Sequence, residues 1–366
     1  MPASSAPELR YRLAPKEIRV GPGVAGGLPK IVERLGGRCL VVHDTGSERA
    51  AQAASEAMIG TGLDVQVHAF FGECTPSAIA RLAGEAAGAT VLAFGGGKAL
   101  DTAKAAAEKQ DVPCINVPTS AATCAAYTPL SILHEDDGAY VESRRLTQPV
   151  EALVLDLELL VGAPPRLLAA GMADAAARAF DTILAARIRV PSAMAAMSLA
   201  ICREYLFQTL LPLGDQALAD NGAKIASDAV QRVIEACILG AGLAGETGAR
   251  FFGRSFSHAV AYALSHVVDS DGVLHGEAAG LGILVHCLLD PEPPVAFEAM
   301  RQRFATWGLP ISFAEVGIED LAGVCGQALA ERTYEYLDRE RAIPFAVDAD
   351  AIHDAMMLSD RAASAD

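Results

Sequence analysis

With 366 residues the chain is long enough for two domains of ordinary size, and its 52% hydrophobic content supplies a large core built from alanine and aliphatics, since aromatics are only 5%. A formal net charge of −16 repels phosphate backbones and argues against a nucleic-acid partner. No uncharged apolar run is long enough to span a membrane, Met1–Ser5 lacks the basic start and apolar stretch of a secretory signal, and the 8 scattered cysteines form no C-x-x-C pair, so free thiols and a cytoplasmic location are expected.

In chain order, the first half alternates. Arg38–Val42 reads as a strand, Ser47–Thr61 as a helix, Asp64–Phe70 as a strand, Pro76–Gly88 as a helix and Thr90–Phe94 as a strand. Leu100–Gln110 is a further helix, and Pro113–Val117 and Val150–Leu157 are further strands. Strand alternating with helix means a doubly wound parallel sheet, whose ligands bind beyond the carboxyl ends of the strands. After Pro164-Pro165 the character changes. Arg166–Arg189, Ser192–Leu213, Asp215–Ala244 and Phe256–Val268 are helical in period, and another apolar helix follows His275. The expected architecture is an α/β domain over residues 1–160 followed by an all-α domain over residues 161–366, with Arg361–Asp366 frayed.

The glycine run Gly95-Gly96-Gly97 sits where a strand empties into a helix. Glycines there let the chain turn sharply and let a bulky anion come close, and the following helix N-terminus favours negative charge. The run has neither G-x-G-x-x-G spacing nor a Gly-Lys-Ser/Thr ending. Asp101 and Lys104, one turn further on, favour a pyrophosphate cradle over a plain connection. In the helical half, Asp174 lies among Ala, Leu and Met, where an unpartnered carboxylate carries a desolvation cost of several kcal/mol. His258 and His275 lie in small-residue surroundings on either side of an Asp- and Gly-rich loop, Asp269–Gly272. Two imidazoles and one acid in an apolar half could converge on a metal. His266 is a weaker candidate; His43, His68, His134, His286 and His353 read as structural.

Four motifs in order carry a resemblance: Gly95 to Lys104; Val117-Pro118-Thr119-Ser120-Ala121-Ala122-Thr123; Ala163 to Ala175; and His258 with His275-Gly276-Glu277. Together they resemble the iron-containing (group III) alcohol dehydrogenases, and within them the glycerol dehydrogenase branch; dehydroquinate synthase is a more distant relative. The resemblance implies that an N-terminal NAD-binding domain and a C-terminal helical metal-binding domain enclose cofactor and metal. It implies Asp174, His258 and His275 as ligands of one divalent zinc or iron. It implies Gly95, Gly96, Gly97 and Asp101 on the pyrophosphate and nicotinamide side, and Thr119, Ser120, Thr123 and Ser131 as further cofactor contacts. Asp44 matches the acid that holds the adenosine ribose and repels a 2′-phosphate, which favours NAD over NADP. The implied activity is hydride transfer between NAD(H) and a small alcohol, polyol or 2-hydroxy acid. A homo-oligomer is expected.

One position departs from the glycerol dehydrogenase pattern. Cys124 stands where those enzymes carry an aspartate that contacts polyol hydroxyls, and a thiol is a poor acceptor. The run from Cys124 to Ser131 resembles instead a hydroxycarboxylate dehydrogenase offshoot that reduces 2-oxo acids, and Arg144 or Arg145 could pair a carboxylate. A dehydroquinate synthase-like lyase ranks lower, because the helices at Asp174 and His258 supply no lysine for a phosphorylated, hydroxyl-rich substrate.

Overall fold

The computed structural model describes Tyr11, Leu13, residues 15–267 and residues 272–363. The expectations for Met1–Ser5, for most of the Asp269–Gly272 loop, for Val268 as a helix end and for the last three residues lie outside the described residues.

Six parallel strands form the sheet: β1 (Glu17–Gly21), β2 (Arg38–His43), β3 (Asp64–Ala69), β4 (Thr90–Gly95), β5 (Cys114–Pro118) and, after the hairpin β6 (Leu130–His134) and β7 (Tyr140–Arg145), β8 (Ala152–Asp156). Their order is β1-β8-β5-β4-β2-β3. The central strands are near-continuous apolar runs such as Cys39-Leu40-Val41-Val42, because both faces are covered. Side chains alternate between the two faces. Cys39, Val41, Leu92, Phe94, Ile115 and Val117 pack against α1 (Leu28–Arg34) and α2 (Glu48–Gly60). Leu40, Val42, Val91 and Ala93 share a core with Leu82 and Ala83 of α3 (Pro76–Glu85) and with Leu100 and Ala103 of α4 (Gly97–Lys109). The edge strand β3 is partly exposed and correspondingly polar.

After a single turn, α5 (Leu157–Leu160), the chain is helical: α6 (Pro165–Ala186), α7 (Ala193–Tyr205), α8 (Leu211–Gly222), α9 (Asp228–Glu235), α10 (Ala241–Phe252), α11 (Phe256–Leu264), α12 (His275–Leu289), α13 (Phe297–Thr306), α14 (Val324–Tyr336), α15 (Arg339–Ala342) and α16 (Ala349–Ala363). Helix α6 is buried almost all round, as a helix rich in alanine on every side must be. Among the described residues no helix is long and apolar enough to cross a membrane, and the eight cysteines are free.

The expected α/β sheet followed by helices is observed, with three local differences. Strand β1 and the hairpin β6–β7 were not anticipated, because β7 is a polar ribbon, Tyr-Val-Glu-Ser-Arg-Arg, with no apolar face to read. The expected break before Asp215 is absent. Helix runs from Ala193 through a π-helical turn at Leu206–Leu210 to Gly222, and Gly214 is there because a Cβ would meet Met172 and the Trp307 ring within 2.4–2.6 Å. The expected continuous helix Asp215–Ala244 is interrupted instead at 223–227, where Lys224 adopts φ 61° and Ser227 caps α9 by accepting from the Val230 N–H.

Candidate metal and cofactor site

One large cavity, about 1550 Å³, opens between the carboxyl ends of the strands and the helical half. Both groups of sequence-predicted residues face it: Asp44, Gly96, Gly97, Thr119, Ser120 and Thr123 on one wall, Asp174, His258 and His275 on the other.

The second wall is set by three close backbone approaches. A Cβ on Gly171 of α6 would stand 1.7 Å from the Ala121 carbonyl oxygen, in the loop after β5. One on Gly276 of α12 would stand 1.8 Å from the Ala170 oxygen, and one on Gly282 would stand 2.5 Å from the Ser257 oxygen of α11. Missing side chains thus let α6, α11, α12 and the β5 loop touch. Glu277 fixes the start of α12. It accepts from the Leu274 N–H at 2.8 Å and from the Arg166 guanidinium, whose Nη2 also donates to the Gly272 carbonyl.

The result is a compact donor set. One ligand atom each from Asp174, His258 and His275 lies within 4.8 Å of the others. The two Nε2 atoms face Asp174 Oδ1 at 3.6 and 3.5 Å. His258 Nδ1 lies 2.7 Å from Asp181 Oδ2, and Ser255 Oγ donates to the other oxygen of Asp181. An Nδ1–H donated to a buried carboxylate holds the ring with its Nε2 toward Asp174. Burial pushes the Asp174 carboxyl up, but the His258 and His275 imidazoles outweigh it and leave its pKa below the usual value. Burial holds the His275 pKa below its usual value, against the opposing pull of Asp174. One carboxylate and two imidazoles fit a zinc or ferrous ion and leave coordination positions open.

On the opposite wall, Gly95 takes φ 144°, and a Cβ there would stand 2.5 Å from an Asp44 carboxylate oxygen. The same carboxylate accepts from the Gly96 N–H at 2.9 Å and from Ser47 Oγ at 2.7 Å. Asp44 therefore stands at the end of β2 and braces the glycine turn. A Cβ on Gly96 would meet nothing closer than 3.9 Å, so the turn is open above the N-terminus of α4. An open glycine turn at a helix N-terminus leaves room for an anionic group to approach the backbone.

Several anticipated residues also make structural contacts, Asp101 while lining the cavity. Ser131 does not line the cavity: its hydroxyl is sealed in β6 and donates to the Asp101 carbonyl at 2.7 Å. The Asp101 carboxylate accepts from the Ile132 N–H at 2.9 Å and pairs with Lys104 Nζ at 2.8 Å. Lys104 is buried and also donates to the carbonyls of Ala125, Thr128 and Leu130. This pair pins the loop that carries Cys124. Arg145 is taken by Glu246 at 2.7 Å and Arg144 by Glu142 at 2.8 Å. His266 bonds the Tyr336 hydroxyl away from the cavity, whereas His134, read as structural, lines it. Cys124 lines the cavity, and burial pushes its thiol up to about 12, so it is neutral.

Sequence reasoning missed Asp181 and Arg178. Both lie on α6, seven and four residues after Asp174. That spacing puts all three on one helix face, a signal that was present but unused.

Residues 15–154 match the family model "Iron-containing alcohol dehydrogenase". A glycerol dehydrogenase of Escherichia coli O6:H1 is 31% identical over 95% of this chain and 96% of that protein. Hydroxycarboxylate dehydrogenase A of Escherichia coli K12 is 30% identical over 75% of this chain and 76% of that protein. The solved structure of a probable glycerol dehydrogenase from Sinorhizobium meliloti 1021 superposes with a TM-score of 0.84 at 27% identity, covering 98% of this chain and 100% of that one.

Proposed function

The chain belongs to the iron-containing alcohol dehydrogenase family, in its glycerol dehydrogenase-like branch, and from that premise we propose that it transfers hydride between NAD(H) and a small alcohol at one divalent ion held by Asp174, His258 and His275. The observation that carries the reading is the three-ligand cluster on the wall of the same cavity that the glycine turn enters. Residues 1–160 form the cofactor-binding domain and residues 161–366 the metal-binding domain. Gly96 and Gly97 at the start of α4 take the pyrophosphate. Asp44, with lone pairs left beyond its bonds to the turn, takes the adenosine ribose and disfavours NADP.

When bound, the divalent ion and the nicotinamide supply a Lewis acid for the alcohol oxygen and an acceptor for the hydride. The chain's residues do the rest. Asp174, His258 and His275 fix where the alcohol oxygen sits. Asp181 keeps the His258 proton on Nδ1, so that Nε2 stays a donor atom. The glycine turn sets the depth of the cofactor, and the walls restrict water at the reacting carbon.

The test is NADH formation by zinc- or iron-loaded protein with glycerol, 1,2-propanediol and lactate, run with NAD and with NADP, beside metal analysis of the wild type and His258→Ala. The expected outcome is turnover that prefers NAD, with metal and turnover both lost in His258→Ala while the far-UV dichroism is kept. Full metal content and full turnover in His258→Ala would refute the assignment.

A further inference from the structure

We propose that the Arg178 guanidinium is the carboxylate-binding group of the substrate pocket, so that the site is built for small 2-hydroxy acids and their 2-oxo counterparts rather than for neutral polyols. The inference rests on the metal- and NAD(H)-dependent alcohol chemistry above and names the substrate class of that same site.

Arg178 lines the cavity, half-buried, one helical turn beyond Asp174 on α6. Among the described residues, no hydrogen bond or ion pair takes up its guanidinium. The neighbouring carboxylates are engaged elsewhere: Asp174 faces both imidazoles, and Asp181 holds His258 and Ser255. Of the other arginines of the cavity, Arg49 is exposed to solvent at the Asp44 end, away from the ligand cluster, and the rest are occupied. Arg145 is paired with Glu246, Arg341 with Asp338, and Arg254 lies over the rings of Tyr262 and Tyr336. Arginine cannot shed its charge in a protein, so a guanidinium out of bulk water calls for an acceptor, and its planar fork matches a carboxylate.

Cys124 faces the same cavity. Its thiol lies within electrostatic reach of both Arg178 and Asp174 and is neutral. An aspartate at that position would add a carboxylate competing for the Arg178 guanidinium; a neutral cysteine does not. Within the ligand cluster, Asp174 and Asp181 together offset a divalent ion, so the Arg178 guanidinium adds positive charge beside it that favours an anionic substrate. Residues four apart on a helix stand roughly 5–6 Å apart at Cβ. A hydroxyl at the ligand cluster and a carboxylate on the adjacent carbon therefore span the two groups. The reaction balances without another reagent: the carbinol C–H bond gives its hydride to NAD, the hydroxyl proton goes to solvent, and the products are the 2-oxo acid and NADH.

The experiment compares lactate with 1,2-propanediol, which replaces the carboxylate by a hydroxymethyl group, using metal-loaded wild type, Arg178→Gln, Arg178→Lys and Cys124→Asp. In Arg178→Gln the ratio of kcat/KM for lactate to that for propanediol should fall at least about thirtyfold, as expected for a lost charge-assisted hydrogen bond, with most of the change in KM. Arg178→Lys should recover part of it, and Cys124→Asp should depress the ratio with Arg178 still present. Oxamate, a non-reacting 2-oxo acid mimic, is titrated by calorimetry into the NADH-loaded proteins and should bind at least about tenfold more weakly to Arg178→Gln. An unchanged ratio, or equal oxamate binding, overturns the proposal. A wild type that oxidises propanediol but not lactate overturns it and leaves the metal and NAD reading standing. No NADH from any alcohol sinks that underlying reading, and oxamate binding then decides the role of Arg178 by itself.

Discussion

His258 and His275 are both held near Asp174, but by different means. His275 owes its place to the start of α12, whereas His258 has its second nitrogen bound to the Asp181 carboxylate at 2.7 Å. Asp181→Asn keeps the shape and removes the charge behind the imidazole. Zinc affinity, measured by chelator competition, should fall about 10–100-fold, with the fold intact; wild-type affinity in that variant would show Asp181 to be a packing residue only. At this scale the sequence was readable in proportion to how strange each residue looked in its local setting. Asp174 stood out because an acid among alanines needs a partner. Lys104 looked like a ligand-side group because its local sequence gives no hint that three loop carbonyls fold back onto its amine. Ser131 was misplaced for the same reason: its hydroxyl is sealed by Asp101, thirty residues earlier in the chain.

Elements are brought together here by what their surfaces lack. Gly276→Ala would place a Cβ against the Ala170 carbonyl, a backbone atom with no rotamer to escape by. It should cost roughly 1–3 kcal/mol or more through forced separation of α12 from α6, and it should lower metal content by displacing His275. Gly84→Ala on α3 is the matched control. A Cβ there meets nothing within 4 Å, so helix propensity should make it stabilising by roughly 0.5–1 kcal/mol. Urea midpoints of the two variants check both signs, and a Gly276→Ala protein with wild-type midpoint and metal content contradicts the argument. Central strands and the alanine-rich helices were legible because burial on both faces writes an apolar run into the sequence. The polar ribbon β7 and the interruption at 223–227 were not. One has no apolar face, and the other turns on a single left-handed lysine in a stretch whose composition continues the helix.

At the scale of the whole molecule, the proposed ligands bind in a cavity lined from both halves, so occupancy and stability are linked. NAD at a hundredfold over its dissociation constant should raise the unfolding free energy by about 2.7 kcal/mol. Stripping the metal from loaded protein with a chelator should lower the melting temperature, an effect absent in His258→Ala. A melting temperature indifferent to the chelator would place the ion outside the folded cleft. The order of motifs along the chain by itself determined the family, the sheet-then-helices architecture and the three ligand candidates, because strand burial, glycine turns and an acid in apolar company are constraints that act locally and so leave local marks. Tertiary structure alone decided which side chains are free. It took Arg144 and Arg145 out of play by giving them carboxylates, turned Asp101 and Lys104 into a buried strut, set Asp181 behind His258, and left Arg178 facing the cavity with no partner among the described residues. Availability is a property of what lies opposite a residue in space, and no window of sequence contains that.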